Sequence, residues 1–178
     1  MRSRRTKKSL EVEQLSAEEA RRRVFARAIK LLAAKPRSVA DLRERLLERR
    51  WARKEVVDEA IDRLKEYGYL DDERFAFGYA SLRVREKPIG RNRLARDLQF
   101  KKIDLPVAEE ALDLVFSETS EQELIDRAVE KRLRLRGKPN NRGETKRLFD
   151  HLLRLGFPFE LVREKVRALA SPEFDEDA

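Results

Sequence analysis

The sequence predicts an all-α protein made of three tandem three-helix repeats, and three observations carry that expectation. The first is composition: of 178 residues, 43% are charged and 40% apolar, with 6 glycines and 6 prolines, which suits helices with one buried and one solvated face. The second is the spacing of apolar residues, three and four apart along most of the chain. The third is a recurring Lys-Pro pair at 35 and 36, at 87 and 88 and at 138 and 139, each closing one periodic segment ahead of another.

The opening "MRSRRTKKSLEVEQL" is basic, has no spaced apolar residues to pack, and is expected to form a disordered arm over 1–15. Order should begin at Ser16, where Ser16 and Glu19 fit a capping box and Ala20, Val24, Ala28 and Leu31 share one helical face. Lys35-Pro36 ends that helix. Ser38 and Asp41 open a second one, with an apolar face of Leu42, Leu46 and Leu47. After Trp51 a third carries Val57, Ile61, Leu64 and Tyr67, and Gly68 terminates it as a left-handed C′ residue.

The same pattern then repeats. Leu42, Leu46 and Trp51 align with Leu94, Leu98 and Ile103, and again with Leu148, Leu152 and Phe157, which assigns Trp51 to the core. In the third helices Val56, Ala60, Ile61 and Leu64 align with Val107, Ala111, Leu112 and Val115, then with Leu161, Lys165, Val166 and Leu169. First helices align more loosely, with Phe25, Ala28, Ile29 and Leu32 set against Phe75, Gly78, Tyr79 and Leu82, and Ile125, Ala128 and Val129 in the third copy. The expected boundaries are 16–70, 71–118 and 119–171, followed by an acidic tail over 172–178.

Lys and Arg total 42 against 34 Asp and Glu, a formal charge of +8, which favours polyanionic partners. With 0 Cys and 1 His there is no disulfide, thiolate nucleophile or Cys-ligated zinc, and no apolar run approaches the roughly 18 residues of a membrane span. A cytoplasmic monomer without metal, cofactor or membrane partner is expected.

"GYLDDERFAFGY", residues 68–79, sets two adjacent carboxylates among aromatics. One of Asp71 and Asp72 should cap the helix that follows, and Phe75 and Tyr79 should be core positions one turn apart; a metal reading lacks further ligands. Gly137-Lys138 invites a phosphate-loop reading, but Arg132 stands where the first glycine belongs and Pro139 where a magnesium-binding hydroxyl belongs. Asn140, Asn141 and Gly143 there supply a turn. His151 has no partner carboxylate or nucleophile motif, so it is read as structural or exposed. No catalytic constellation emerges.

The basic residues cluster in two places. Lys87, Arg91, Arg93, Arg96, Lys101 and Lys102 surround the second helix of repeat two, and Arg132, Arg134, Arg136, Lys138, Arg142, Lys146 and Arg147 surround the matching place in repeat three. These residues are the candidate contacts to nucleic acid, because backbone contacts from Lys and Arg supply affinity without reading sequence.

"GYLDDERFAFGY" followed by "KPIGRNRLARDL" resembles the junction and second repeat of the RecX family, and the likeness runs from roughly residue 20 to 170. The third copy lacks an equivalent of "GYLDD". The resemblance implies three tandem three-helix repeats in an elongated, curved arrangement. It further implies a non-enzymatic regulator that binds the RecA filament on single-stranded DNA, with weak, non-sequence-specific binding of double-stranded DNA. Such a regulator restrains RecA ATP hydrolysis, strand exchange and the co-protease activity that induces the SOS response. Gly68, Tyr69, Leu70, Asp71, Asp72, Arg74, Phe75 and Ala76 carry the motif and are assigned to building the joint rather than to contact. Two other readings stay open. One is a free-standing DNA-binding protein of helix-turn-helix type; the other is a nuclease using Glu109, Glu110 and Asp113, although those acids fall opposite the apolar face.

Overall fold

The protein is described by a computed structural model over residues 16–169, so the expected basic arm and acidic tail lie outside the described residues. Those residues form nine helices and no strand: α1 Ala17–Ala34, α2 Val39–Leu47, α3 Lys54–Glu66, α4 Asp72–Glu86, α5 Arg91–Phe100, α6 Leu105–Glu118, α7 Glu121–Arg136, α8 Arg142–Arg154 and α9 Phe159–Leu169. They run as three consecutive trios. In the first, each helix packs on the other two around Val24, Ala28, Leu42, Leu46, Ile61 and Leu64.

Local chemistry sets the boundaries. At α1 the Glu19 N–H donates to Ser16 Oγ at 3.1 Å while Ser16 N–H donates to Glu19 Oε2 at 3.2 Å, which completes the capping box. At the end of α3, Gly68 takes φ 69°, Gly68 N–H donates to the Lys65 carbonyl and Tyr69 N–H reaches back to the Leu64 carbonyl, both at 2.9 Å. The adjacent acids have different tasks. Asp71 Oδ1 accepts from Arg74 N–H at 3.0 Å and so caps α4, whereas Asp72 Oδ1 accepts from Val39 N–H at 2.8 Å and so caps α2.

The aligned second-helix positions are core: Leu42, Leu46, Leu94, Leu98, Ile103, Leu148, Leu152 and Phe157 are all buried, and Trp51 is half-buried against the core of the first trio. The first-helix register differs from the expected one. Buried Val24 and Ala28 correspond to buried Ala76 and Ala80, 52 residues on, the same offset as between the first two Lys-Pro pairs, whereas Phe75 and Tyr79 are only half-buried and Gly78 is exposed. Tyr67 is also exposed, because it stands at the C-cap of α3, past the last turn that faces the core, and Leu47 at the end of α2 is exposed likewise.

By packing, the chain separates into two compact units: one runs to Phe75 and takes in Lys101–Ile103, and the other comprises Ala76–Phe100 and the chain from Asp104. Each contains the same seat. In the first, buried Ser38 just ahead of α2 donates from Oγ to the carbonyl of Lys101, the first residue after α5, at 2.6 Å. In the second, Gly90 just ahead of α5 donates from its N–H to the carbonyl of Leu155, the first residue after α8, at 2.9 Å. The residues after those carbonyls are left-handed in both, Lys102 at φ 59° and Gly156 at φ 90°, and each is followed by a buried side chain, Ile103 or Phe157.

Candidate nucleic-acid interface

The two basic clusters differ in what their charges do. In the cluster around α5, Arg91 begins the helix and is half-buried; its backbone N–H donates to Glu121 Oε1 at 2.8 Å, and its guanidinium meets Glu109 and Asp113, both at 2.7 Å. Burial alone would lower its pKa, but the hydrogen bonds and charges of Glu109 and Asp113 outweigh that and raise it. Arg93 Nε lies 3.1 Å from Asp97 Oδ1, and Lys102 Nζ lies 2.7 Å from Glu44 Oε2. Asp97 is itself 12% exposed and also draws Arg83 to 3.6 Å. Arg96 donates from Nε to the Asn92 carbonyl at 3.2 Å, the Lys101 carbonyl holds Ser38, and Lys87 is exposed at the end of α4. Arg91, Arg93 and Lys102 thus already face carboxylates. Of the acids of the nuclease reading, Glu109, Glu110 and Asp113, the first and last are engaged by Arg91, and no cluster of three or more His, Asp or Glu that could hold a metal occurs among the described residues.

The cluster around α7 and α8 is differently placed. Arg134 and Arg136 occupy the last turn of α7, where cations favour the negative end of the helix dipole, and Gly137 closes the helix at φ 76°. Lys138 follows in the connection. Asn141 caps α8 by accepting from Glu144 N–H at 2.9 Å, and Arg142, Lys146 and Arg147 lie in the first two turns. None of Arg132, Arg134, Arg136, Lys138, Arg142, Lys146 and Arg147 forms an ion pair with a described carboxylate. Residues 127–147 hold nine basic side chains and two acidic ones, so almost all of the +8 formal charge is concentrated there.

This face also has a concavity. Arg132, Leu133, Arg136 and Gly137 of the α7 end, Pro139, and Glu144, Arg147 and Leu148 of α8 line an open hollow of about 450 Å³. Its acid, Glu144, is used locally, since Glu144 Oε2 accepts from Asn140 N–H at 3.1 Å. His151, further along α8, is half-buried, and its pKa is lowered, first by burial and then by the charges of Arg132 and Arg154.

Sequence reasoning missed one surface. Tyr69, assigned to the joint, is 64% exposed and stands edge-on to Tyr67, with ring centroids 6.4 Å apart and the Arg63 guanidinium 5.8 Å from the Tyr67 ring. A signal was available, since two tyrosines flanking the C′ glycine of a helix fall beyond its periodic face. Among the described residues no helix is long and apolar enough to cross a membrane.

Comparison with known proteins bears on this arrangement. Residues 25–64 match the family model described as RecX, first three-helix domain, and residues 71–112 match RecX, second three-helix domain. The "Regulatory protein RecX" of Chlorobium limicola is 33% identical over 165 residues, covering 90% of this chain and 99% of that protein. The protein of the same name from Treponema pallidum is 40% identical over 110 residues, 62% of this chain and 66% of its own length. The crystal structure of RecX from Lactobacillus salivarius has a similar fold, with TM-score 0.74, 19% identity, and coverage of 85% of this chain and 97% of that one.

Proposed function

The chain belongs to the RecX family, and on that premise we propose that it binds the RecA filament on single-stranded DNA and restrains RecA ATP hydrolysis, strand exchange and co-protease activity. The observation that carries this reading is the surface of α7 and α8, where seven cations lack carboxylate partners among the described residues and most of the net charge is gathered. Such a face attracts phosphates through counterion release and reads no sequence. The α5 cluster contributes less, because Arg91, Arg93 and Lys102 are spent on intramolecular acids. Tandem three-helix units engage more than one site at once, so modest contacts add through effective concentration. A molecule that grips neighbouring RecA protomers hinders the conformational changes that accompany ATP hydrolysis. The protein acts this way as a cytoplasmic monomer, by binding and without catalysis.

Single-stranded-DNA-dependent ATP hydrolysis by the cognate RecA, titrated with this protein well below one molecule per protomer, tests the reading. Inhibition at that ratio is expected. Inhibition only once the DNA is coated would replace it with simple competition for DNA by a free-standing DNA-binding protein.

A further inference from the structure

The concavity between the end of α7 and the start of α8 is more specific than a charged surface. A phosphate-tracking strip needs separate cations along a backbone, whereas here Arg132, Arg136 and Arg147 line a single hollow together. None of the three has a carboxylate partner among the described residues, and the one acid in the wall, Glu144, is held by the Asn140–Asn141 turn. Guanidinium groups that line one hollow suit a phosphate, whose oxygens accept several N–H donors at once. The volume of about 450 Å³ lies within the range of small-ligand pockets and leaves room for the sugar beside the phosphate, against the apolar walls of Leu133, Pro139 and Leu148.

We propose that this hollow seats one phosphate group of a nucleic-acid strand, clamped jointly by Arg132, Arg136 and Arg147. The proposal rests on the reading of the α7 and α8 face as the nucleic-acid interface and gives it a fixed point. The source of the phosphate is either an internal diester or a 5′-terminal monoester, and the chemistry of the clamp is the same for both.

His151 makes the seat observable, because it is the one histidine in the chain and it feels the charge of Arg132. A phosphate beside Arg132 offsets that charge and raises the His151 pKa. The imidazole of the full chain is titrated by NMR alone and with an oligothymidylate carrying either a 5′-hydroxyl or a 5′-phosphate. A rise with both strands identifies an internal diester, and a rise with only the phosphorylated one identifies a strand end. The rise is expected to vanish in Arg136→Gln/Arg147→Gln, whose exposed positions leave the fold intact. In wild type, the absence of any rise at saturating strand overturns the seat.

Salt dependence separates a clamp from a strip. Each phosphate neutralised by the protein contributes about 0.7 to the slope of log affinity against log salt for a single strand. Three arginines holding one phosphate should therefore reduce the slope by about 0.7 when Arg132, Arg136 and Arg147 are all replaced by Gln, whereas a reduction of about 1.4 or more means separate phosphates and overturns the clamp. RecA inhibition is measured in parallel. Wild-type inhibition without a His151 response sinks the seat and leaves the regulatory reading standing, and a His151 response without inhibition does the reverse.

Discussion

Gly90 and Gly156 meet backbone to backbone, with the Asn92 N–H donating to the Gly156 carbonyl at 3.1 Å beside the Gly90-to-Leu155 bond. A Cβ on Gly90 would stand 2.4 Å from the Gly156 carbonyl oxygen, and one on Gly156 would stand 2.2 Å from the Arg93 nitrogen. Both partners are main chain and have no side-chain rotamer with which to yield. Gly156→Ala adds the strain of a left-handed backbone at φ 90° to that overlap and is expected to destabilise the second unit by about 3 kcal/mol in urea unfolding. Gly78 is the control: it lies inside α4 with nothing near its Cβ position, so Gly78→Ala should stabilise by about 0.5 kcal/mol. Equal effects at the two sites would contradict the close approach.

Ser38 tests the matching seat in the first unit. It is 0% exposed, its Oγ accepts from Asp41 N–H at 3.1 Å, and it donates to the Lys101 carbonyl at 2.6 Å. Ser38→Ala removes a helix cap and leaves that carbonyl without its donor, so a loss of about 2 kcal/mol is expected. Faster hydrogen exchange should appear at the start of α2.

The two basic clusters should separate in mutagenesis. Arg134→Gln/Lys146→Gln removes cations that have no acid partners among the described residues, and it should weaken inhibition of RecA while changing stability by less than about 0.5 kcal/mol. Arg91→Gln/Arg93→Gln instead takes the Arg91 partner from Glu109 and Asp113 and leaves Asp97 with Arg83 and Tyr79 alone, and about 1 kcal/mol of stability should go with much of the inhibition retained. Chemical denaturation and the ATPase titration on the same preparations check both halves.

His151 adds a pH dependence. Its folded-state pKa is lowered, first by burial and then by Arg132 and Arg154, so on acidification the unfolded chain binds a proton there before the folded chain does. Its contribution to stability is therefore whole above the ordinary value of 6.5 and is lost as pH falls below it toward the folded-state value. Thermal melts from about pH 8 to about pH 5 should show this decline, and His151→Gln should flatten it. An unchanged profile in the variant would assign the decline to carboxylates instead.

Much of the fold was legible because its signals are local. Ser16, Ser38 and Gly68 mark boundaries through caps that involve neighbours within a turn or two, and second-helix positions such as Leu94 and Leu98 carry side chains too apolar to stand in water. The first-helix register was hidden because small side chains fill the tight contacts there. Ala76 and Ala80 are buried where the sequence draws the eye to Phe75 and Tyr79, whose bulk suits the edge of the core. For the site, sequence showed where the cations are but not which are already used. The acids that meet Arg91 lie 18 and 22 positions away, and only the packing of α5 on α6 brings them within reach.

The sequence repeats and the packed bodies are cut in different places, and this bears on how the gene can be divided. A fragment ending at residue 70 would follow the repeat boundary yet discard the Asp72 carboxylate that caps α2 and the Lys101 carbonyl that receives Ser38. The first compact unit is discontinuous along the chain, because Lys101–Ile103 belongs to it. Excision, shuffling or circular rearrangement at the repeat boundaries would therefore break hydrogen bonds that the first and second repeats draw from the repeat that follows. The heritable module is a repeat together with the turn that closes over it.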